Sequence, residues 1–372
     1  MKIKKDCRHF RGDKPCSFHK KEGVACSNCS NYEPVKQFIV VIKMGSAGDV
    51  LRTTSILPGL RNKYPQSFIF WVTKTKYKCL LENNPYIDKV LHKELEILGT
   101  FKKVKFDLAV NLDVSHESAA LLNLVNSSSK KGFGLDKRGV VIPVNRQAKD
   151  WYMMGVSDQA KKQNKKSYAE IALEISGLDK GNLSKPLFSI PKNALNWAQR
   201  FRQQNDIVAS LPLIGISINT GNRWQLKSPP VEKYLEIISV LHNNLKAQLI
   251  LLAGPEEKEK YNHIANKSDS PLIVPGVHNI GKFAALIEIC DLVITPDSLS
   301  LHLALALSKK IVVFFGPTSA AEIGLFGKGS KVLPSLECLC CYRQRCDKKP
   351  NCMEILNPLD ILKAAERLLY DS

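Results

Sequence analysis

One carboxylate and three polar turns carry the chemistry that can be read from this chain. Asp49 follows the small residues Gly45-Ser46-Ala47-Gly48, which themselves leave the apolar run Ile39-Val40-Val41-Ile42. Small residues let a backbone turn tightly and approach a ligand closely. A carboxylate just past the carboxyl end of a buried strand sits where open α/β sheets place ligands. The structural alternative is a carboxylate that only caps the following helix. The turn lacks the G-x-G-x-x-G spacing of dinucleotide sites and the Gly-Lys-Ser/Thr of a P-loop.

In the second half, Asn219-Thr220-Gly221-Asn222-Arg223-Trp224-Gln225-Leu226-Lys227 places a hydroxyl and a glycine before two cations. Thr220, Arg223 and Lys227 suit an anionic group such as a diphosphate. Gly254-Pro255-Glu256-Glu257 puts carboxylates at a strand end, where one can bond a ribose. Thr295-Pro296-Asp297-Ser298-Leu299-Ser300-Leu301-His302 reads as a helix start capped by Asp297. Ser298 and Ser300 supply hydroxyls there, and His302 lies about one turn in. A satisfied core histidine and a plain cap are the structural alternatives for His302 and Asp297.

These turns need strands to launch them and helices to receive them. Strand-like runs are 38–43, 68–73, 89–91 and 107–111, then 213–218, 248–253, 272–274, 292–295 and 311–315, with helical patterns between. That alternation predicts βαβ units and parallel sheets. A stretch rich in turn formers, 177–191, divides the two series before a helical pattern over 194–204. Amphipathic helices are predicted at 168–175 and 358–369. The domain boundaries expected are 1–35, a small Cys-rich module; 36–185; 186–357; and a C-terminal helix, 358–372.

At 372 residues with 44% apolar content, the chain has enough material for two buried cores. No apolar run approaches a membrane span, and the charged first residues do not resemble a secretory leader. A cytoplasmic protein is expected. The net charge of +19 implies attraction to polyanions: nucleic acid, an anionic membrane surface or a phosphorylated glycolipid. The basic residues are dispersed without a nucleic-acid motif.

The order and spacing of these segments resemble glycosyltransferase family 9, the heptosyltransferases of bacterial lipopolysaccharide synthesis. The carriers are Lys43 to Leu51, Leu60-Arg61 to Tyr64-Pro65, Leu81 to Asp88, Trp224 to Lys227, Asp297-Ser298 to His302, and Phe315-Gly316-Pro317-Thr318. The resemblance covers about residues 37–370. It implies a GT-B fold, with two Rossmann-like domains facing a cleft, and inverting transfer from an ADP-sugar without a catalytic metal. It makes Asp49 the general base and implies that Lys227 contacts the donor phosphates. It places Glu256 or Glu257 at the nucleoside, and Asp297, Ser298 and His302 in the donor motif. Lys43, Ser46 and Arg52, which flank Asp49, are assigned to the acceptor side. It also implies that the last helix returns to the first domain. Leu299 replaces the family's Gly and Ser228 its Trp, positions that bear on the donor.

Eleven cysteines in an expected reducing compartment do not form a disulfide framework. Cys7, Cys16, Cys26 and Cys29 fit a structural zinc site, an iron–sulfur cluster or unliganded thiols. Cys338, Cys340, Cys341, Cys346 and Cys352 form a second set, read as a metal site or as a loop near the donor pocket. The rival functions are a same-fold transferase with another donor or acceptor, a glycolipid-binding relative without activity, and a zinc-bearing basic nucleic-acid-binding protein. A glycolipid or glycan acceptor and peripheral contact with the inner membrane face suit the positive charge.

Overall fold

The β-branched and aliphatic runs do become buried parallel strands. In the computed structural model, which describes residues 3–218, 220–221 and 224–371, they form two sheets. The first has the order β3-β2-β1-β4-β5-β6, with β1 Gln37–Ile42, β2 Ser67–Val72, β3 Lys89–Leu91, β4 Leu108–Asn111, β5 Lys130–Leu135 and β6 Val141–Pro143. All its pairs are parallel except β5–β6. β1 lies at the centre, Ile39 opposite Ile69 on one side and Leu108 on the other. Its residues 39–42 are fully buried, as a run without a polar face requires. Val40 and Ile42 join Phe70, Val72, Phe101 and Phe106 in one core.

The second sheet is wholly parallel, in the order β11-β10-β9-β7-β8. Its strands are β7 Leu213–Ser217, β8 Gln248–Leu252, β9 Leu292–Pro296, β10 Lys310–Phe314 and β11 Gly329–Val332. Strand periodicity sorts its side chains into two cores. Ile214, Leu251, Ile294 and Val312 pack on one face, and Ile250, Val293, Ile311 and Val313 on the other. The expected strand at 272–274 shrinks to a single bridge, Ile250 to Ile273.

The chain divides into two compact units, one comprising Met1–Gly45, Ser55–Tyr152 and Ile171–Ser184, the other Ser46–Thr54, Met153–Glu170 and Lys185–Ser372. The division at 184/185 falls inside the turn-rich stretch. Two short segments from the first half of the chain, Ser46–Thr54 and Met153–Glu170, group with the second unit. Leu51 explains the first, since it is fully buried in that unit's core with Leu301 and Ala304. Residues of the Cys-rich piece belong to the first unit. Arg8 there pairs with Asp88 and Glu33 and donates to the Pro85 carbonyl. Asp88 also accepts from Arg61 and from the Ile69 amide.

The C-terminal helix, Pro358–Tyr370, packs within the second unit. There Ile361, Leu362, Ala364 and Ala365 join the core formed with helix Val231–Asn244. Its single apolar stripe is used up there.

Candidate functional site

In the second sheet the strand order reverses between β7 and β9. Segments leaving β7 and β9 flank that switch point, the usual ligand position in a doubly wound sheet. After β9, Ser298 rather than Asp297 is the N-cap of helix Leu299–Ala306, its hydroxyl accepting from the Ser300 amide at 3.3 Å. The expected capping role of Asp297 is thereby corrected. One residue further out, its carboxylate is released to Lys227, whose Nζ lies 3.0 Å from Oδ2 and 2.9 Å from the Asp297 carbonyl. Burial alone would push Asp297 up, but Lys227 and His302 beside it hold its carboxyl below the usual range. Ser300 meets Ser217 hydroxyl to hydroxyl at 2.6 Å, tying the helix start to β7.

The turn that follows β7 is organised by Glu257. Its Oε1 accepts from the amides of Thr220, at 3.2 Å, and Gly221, at 3.1 Å. Gly221 has φ +65°, a conformation that favours glycine. Burial raises the Glu257 pKa against these two donors. Glu256, the other expected nucleoside carboxylate, is exposed. Arg223 lies outside the described residues. Lys260, missed by sequence reading, donates to the Ser228 hydroxyl and the Pro229 carbonyl just after Lys227. Burial lowers its pKa to about 8.

Asp49 enters this unit on helix Ala47–Thr53, which packs on helix Leu299–Ala306. Gly48 permits the approach, because a Cβ there would lie 2.9 Å from Cδ2 of His302. Asp49 is the third residue of its helix and closes a capping box. Its Oδ2 accepts from the Ser46 amide at 3.1 Å and from the Ser46 hydroxyl at 3.0 Å. The structural alternative considered for Asp49 is thus present. The carboxylate is nevertheless not consumed by it, since Oδ1 faces Arg52 Nη2 at 2.7 Å and the side chain stays 25% exposed.

Arg52 sits on the ring of Tyr168, 3.8 Å from its centroid, and reaches Glu322 at 3.8 Å. Desolvation lowers its pKa, but the surrounding negative groups outweigh that and raise it. His302 is buried beside this cation, and its pKa falls to about 4, first through burial and then through Arg52. The imidazole is therefore neutral at pH 7, with Nδ1 buried and unpartnered. Of the expected residues, Ser46, Asp49, Arg52, Thr220, Lys227, Asp297, Ser298 and His302 all belong to the second unit. Lys43 belongs to the first, where its buried Nζ donates to the Leu112 carbonyl at 2.7 Å.

The cysteines of the two expected sets lie as follows. Among the described residues, no three His, Cys, Asp or Glu side chains are grouped so as to hold a metal ion. Cys7, Cys16, Cys26 and Cys29 serve separate local structures. Cys7 bridges to Pro34, Cys16 precedes helix Ser17–Glu22, and Cys26 and Cys29 bound a 3-10 turn. Cys338, Cys341, Cys346 and Cys352 line one hollow beside Gly316 and Leu226. Among the described residues, no helix is long and apolar enough to cross a membrane.

Comparison with known proteins adds a family to this geometry. The sequence model of glycosyltransferase family 9 (heptosyltransferase) matches residues 96–352. Lipooligosaccharide heptosyltransferase 2 of Haemophilus influenzae is 22% identical over 305 residues, 76% of this chain and 84% of the relative. Lipopolysaccharide heptosyltransferase 2 of Salmonella typhimurium is 24% identical over 310 residues, 76% and 83% respectively. Among solved structures, a family 9 glycosyl transferase from Veillonella parvula superimposes with a TM-score of 0.72 at 20% identity, covering 90% of this chain and 98% of that one. The ADP-heptose lipopolysaccharide heptosyltransferase II of E. coli gives 0.65 at 18% identity, with the same coverage. At these identities, the structural likenesses establish a shared GT-B fold.

Proposed function

This chain belongs to glycosyltransferase family 9, and on that premise we propose that it moves a heptose, or a related sugar, from an ADP-sugar to a hydroxyl of a lipopolysaccharide-core or similar glycan. One observation carries the reading. A partly exposed carboxylate, Asp49, and a Lys227–Asp297 pair flank the same helix start in one compact unit.

Asp49 accepts the proton of the attacking hydroxyl, a contribution of about 10²–10⁴ in rate for a positioned base. Attack on the anomeric carbon from the side opposite the leaving group inverts its configuration. The departing nucleoside diphosphate gains charge as the sugar leaves. Lys227 and the positive end of helix Leu299–Ala306 are preorganised to receive it. Thr220, Ser298, His302 and Asp297 complete the donor side, with Arg223 from the same turn. Glu257, bonded to the turn, replaces Glu256 as the carboxylate at the nucleoside. Neutral His302 adds an acceptor or donor without competing charge. On the acceptor side Ser46 and Arg52 hold Asp49, and Lys43 stays assigned there. No metal enters these steps.

Thermal shift across a panel of nucleotides, followed by product analysis with a lipopolysaccharide-core acceptor, tests the reading. ADP-heptose should stabilise the protein more than UDP- or GDP-sugars, by mass action, and yield glycosylated product. Equal shifts across the panel, with no transfer, would overturn it. The net charge of +19 further supports peripheral contact with an anionic membrane face. Co-sedimentation with anionic vesicles should be strong at low salt and lost at high salt. Equal recovery in the supernatant with and without vesicles would count against that contact.

A further inference from the structure

We infer that Glu322 is a positioning residue for the transfer, acting through Arg52 to set the basicity of Asp49. The inference rests on the reading of Asp49 as the base and names what tunes it. Arg52 stands between two carboxylates of one unit, with Nη2 at 2.7 Å from Asp49 Oδ1 and Nη1 at 3.8 Å from Glu322 Oε2. The guanidinium keeps its proton, so one fixed positive charge holds two acids close enough to repel each other.

Every neighbour of this cation is itself held. Its plane lies on the Tyr168 ring, and the Tyr168 hydroxyl meets the Thr53 hydroxyl at 2.7 Å. The Tyr168 amide donates to the Glu322 carbonyl at 2.8 Å. Glu322 Oε1 accepts from the Tyr342 hydroxyl at 2.8 Å, and that oxygen accepts from the Ser319 amide at 3.2 Å. Tyr342 in turn meets Trp224 edge to face at 5.8 Å, and the Trp224 carbonyl accepts from the Lys227 amide. A contiguous set of contacts thus runs from the base to the turn that carries the donor lysine.

A lone arginine on Asp49 would make it a weak base by stabilising its charged form. Glu322 offsets this in two ways. It holds the guanidinium from its other side, and its own negative charge opposes ionisation of Asp49. On balance the Glu322 pKa is raised, because burial outweighs Arg52 and the Tyr342 hydroxyl, which lower it. Among the described residues, the other charged or titratable groups facing the cluster include Asp297, Lys227 and His302 near the start of helix Leu299–Ala306, Lys161 over the Tyr342 ring, and Cys340 beside Glu322 and Tyr342.

The test is the pH profile of kcat/KM for Glu322→Gln, Glu322→Asp, Arg52→Gln and Asp49→Asn. Removing the Glu322 charge should move the acid limb to lower pH and reduce kcat about three- to tenfold, with donor KM unchanged. Glu322→Asp should restore most of the rate. Arg52→Gln should move the acid limb the opposite way. If Glu322→Gln keeps the wild-type limb and a kcat within twofold, the inference is overturned. So it is if the two limbs move in the same direction. If Glu322→Gln does not fold, Glu322→Asp and Arg52→Gln decide it by the same limb. An active Asp49→Asn would instead sink the reading of the base itself, which separates the two failures.

Discussion

The turn after β1 and the turn after β9 are built from the same parts and arrive at different chemistry. Each leaves a buried parallel strand, passes a serine and an aspartate, and starts a helix. After β1, the serine comes first. Ser46 is the N-cap and Asp49 the third helical residue, so the carboxylate folds back on the cap and shares its other oxygen with Arg52. After β9, the aspartate comes first. Ser298 caps the helix and Asp297, outside it, is free to pair with Lys227. An aspartate's place relative to its cap therefore decides whether it is shaped by its own helix or by a distant cation. The first arrangement keeps a carboxylate fixed and partly exposed. The second holds a lysine in place across the turn.

That contrast can be broken at either turn. The largest stability effect is expected at the β9 turn. Lys227→Ala leaves Asp297, whose side chain is only 14% exposed, as an uncompensated charge, and should cost about 3 kcal/mol in chemical denaturation as well as weaken donor binding. Lys227→Ala at wild-type stability and affinity would remove the pair from the account. Next comes the contact between the two helices. Gly48→Ala gains helix propensity but forces its Cβ onto the buried His302 ring, and should destabilise by about 1–2 kcal/mol net. A stabilised Gly48→Ala would mean that the helices do not meet there. Ser298→Ala removes a cap and should cost about 1 kcal/mol, whereas a cost at Asp297→Asn that merely equals it would blur the distinction between the two turns.

The finest probe is acid titration. His302 binds its proton at about 4 in the fold and near 6.5 when unfolded. The unfolded chain therefore takes up the proton first, and stability is lost as pH falls from about 6.5 toward 4. His302→Gln should flatten the melting temperature over that interval. Asp297, whose folded pKa is lowered, contributes a later loss, below the unfolded carboxylate range. An unchanged slope in His302→Gln would place the acid sensitivity elsewhere.

Much of this was legible in the sequence where local pattern and burial agree. The runs at 39–42, 213–217 and 292–296 contain scarcely a polar residue, and only a strand buried on both faces tolerates that. Asp49, Lys227, Asp297 and His302 stood out because small residues and strand ends surround them. β5 carries two glycines and two lysines, and β11 is four residues with one lysine, so neither looks apolar enough to announce itself. Their pairing is supplied by neighbouring strands. The placement of Ser46–Thr54 and of the last helix depends on which core accepts Leu51 and Ile361, a tertiary choice with no local signature. Arg52, Tyr168, Glu322 and Tyr342 lie up to 290 residues apart and meet only in the fold. The four N-terminal cysteines sit at a β-bridge, before a helix and at the two sides of a short turn, local settings that their spacing alone does not distinguish from a shared site.

The most direct test joins rate to binding in one preparation of Asp49→Asn, which keeps the side chain's shape and can still bond Ser46. Single-turnover transfer from bound ADP-heptose should fall at least about a hundredfold, while donor Kd stays within twofold of wild type. A single-turnover rate within tenfold of wild type would contradict the account, because the proton of the attacking hydroxyl would then be leaving by another route.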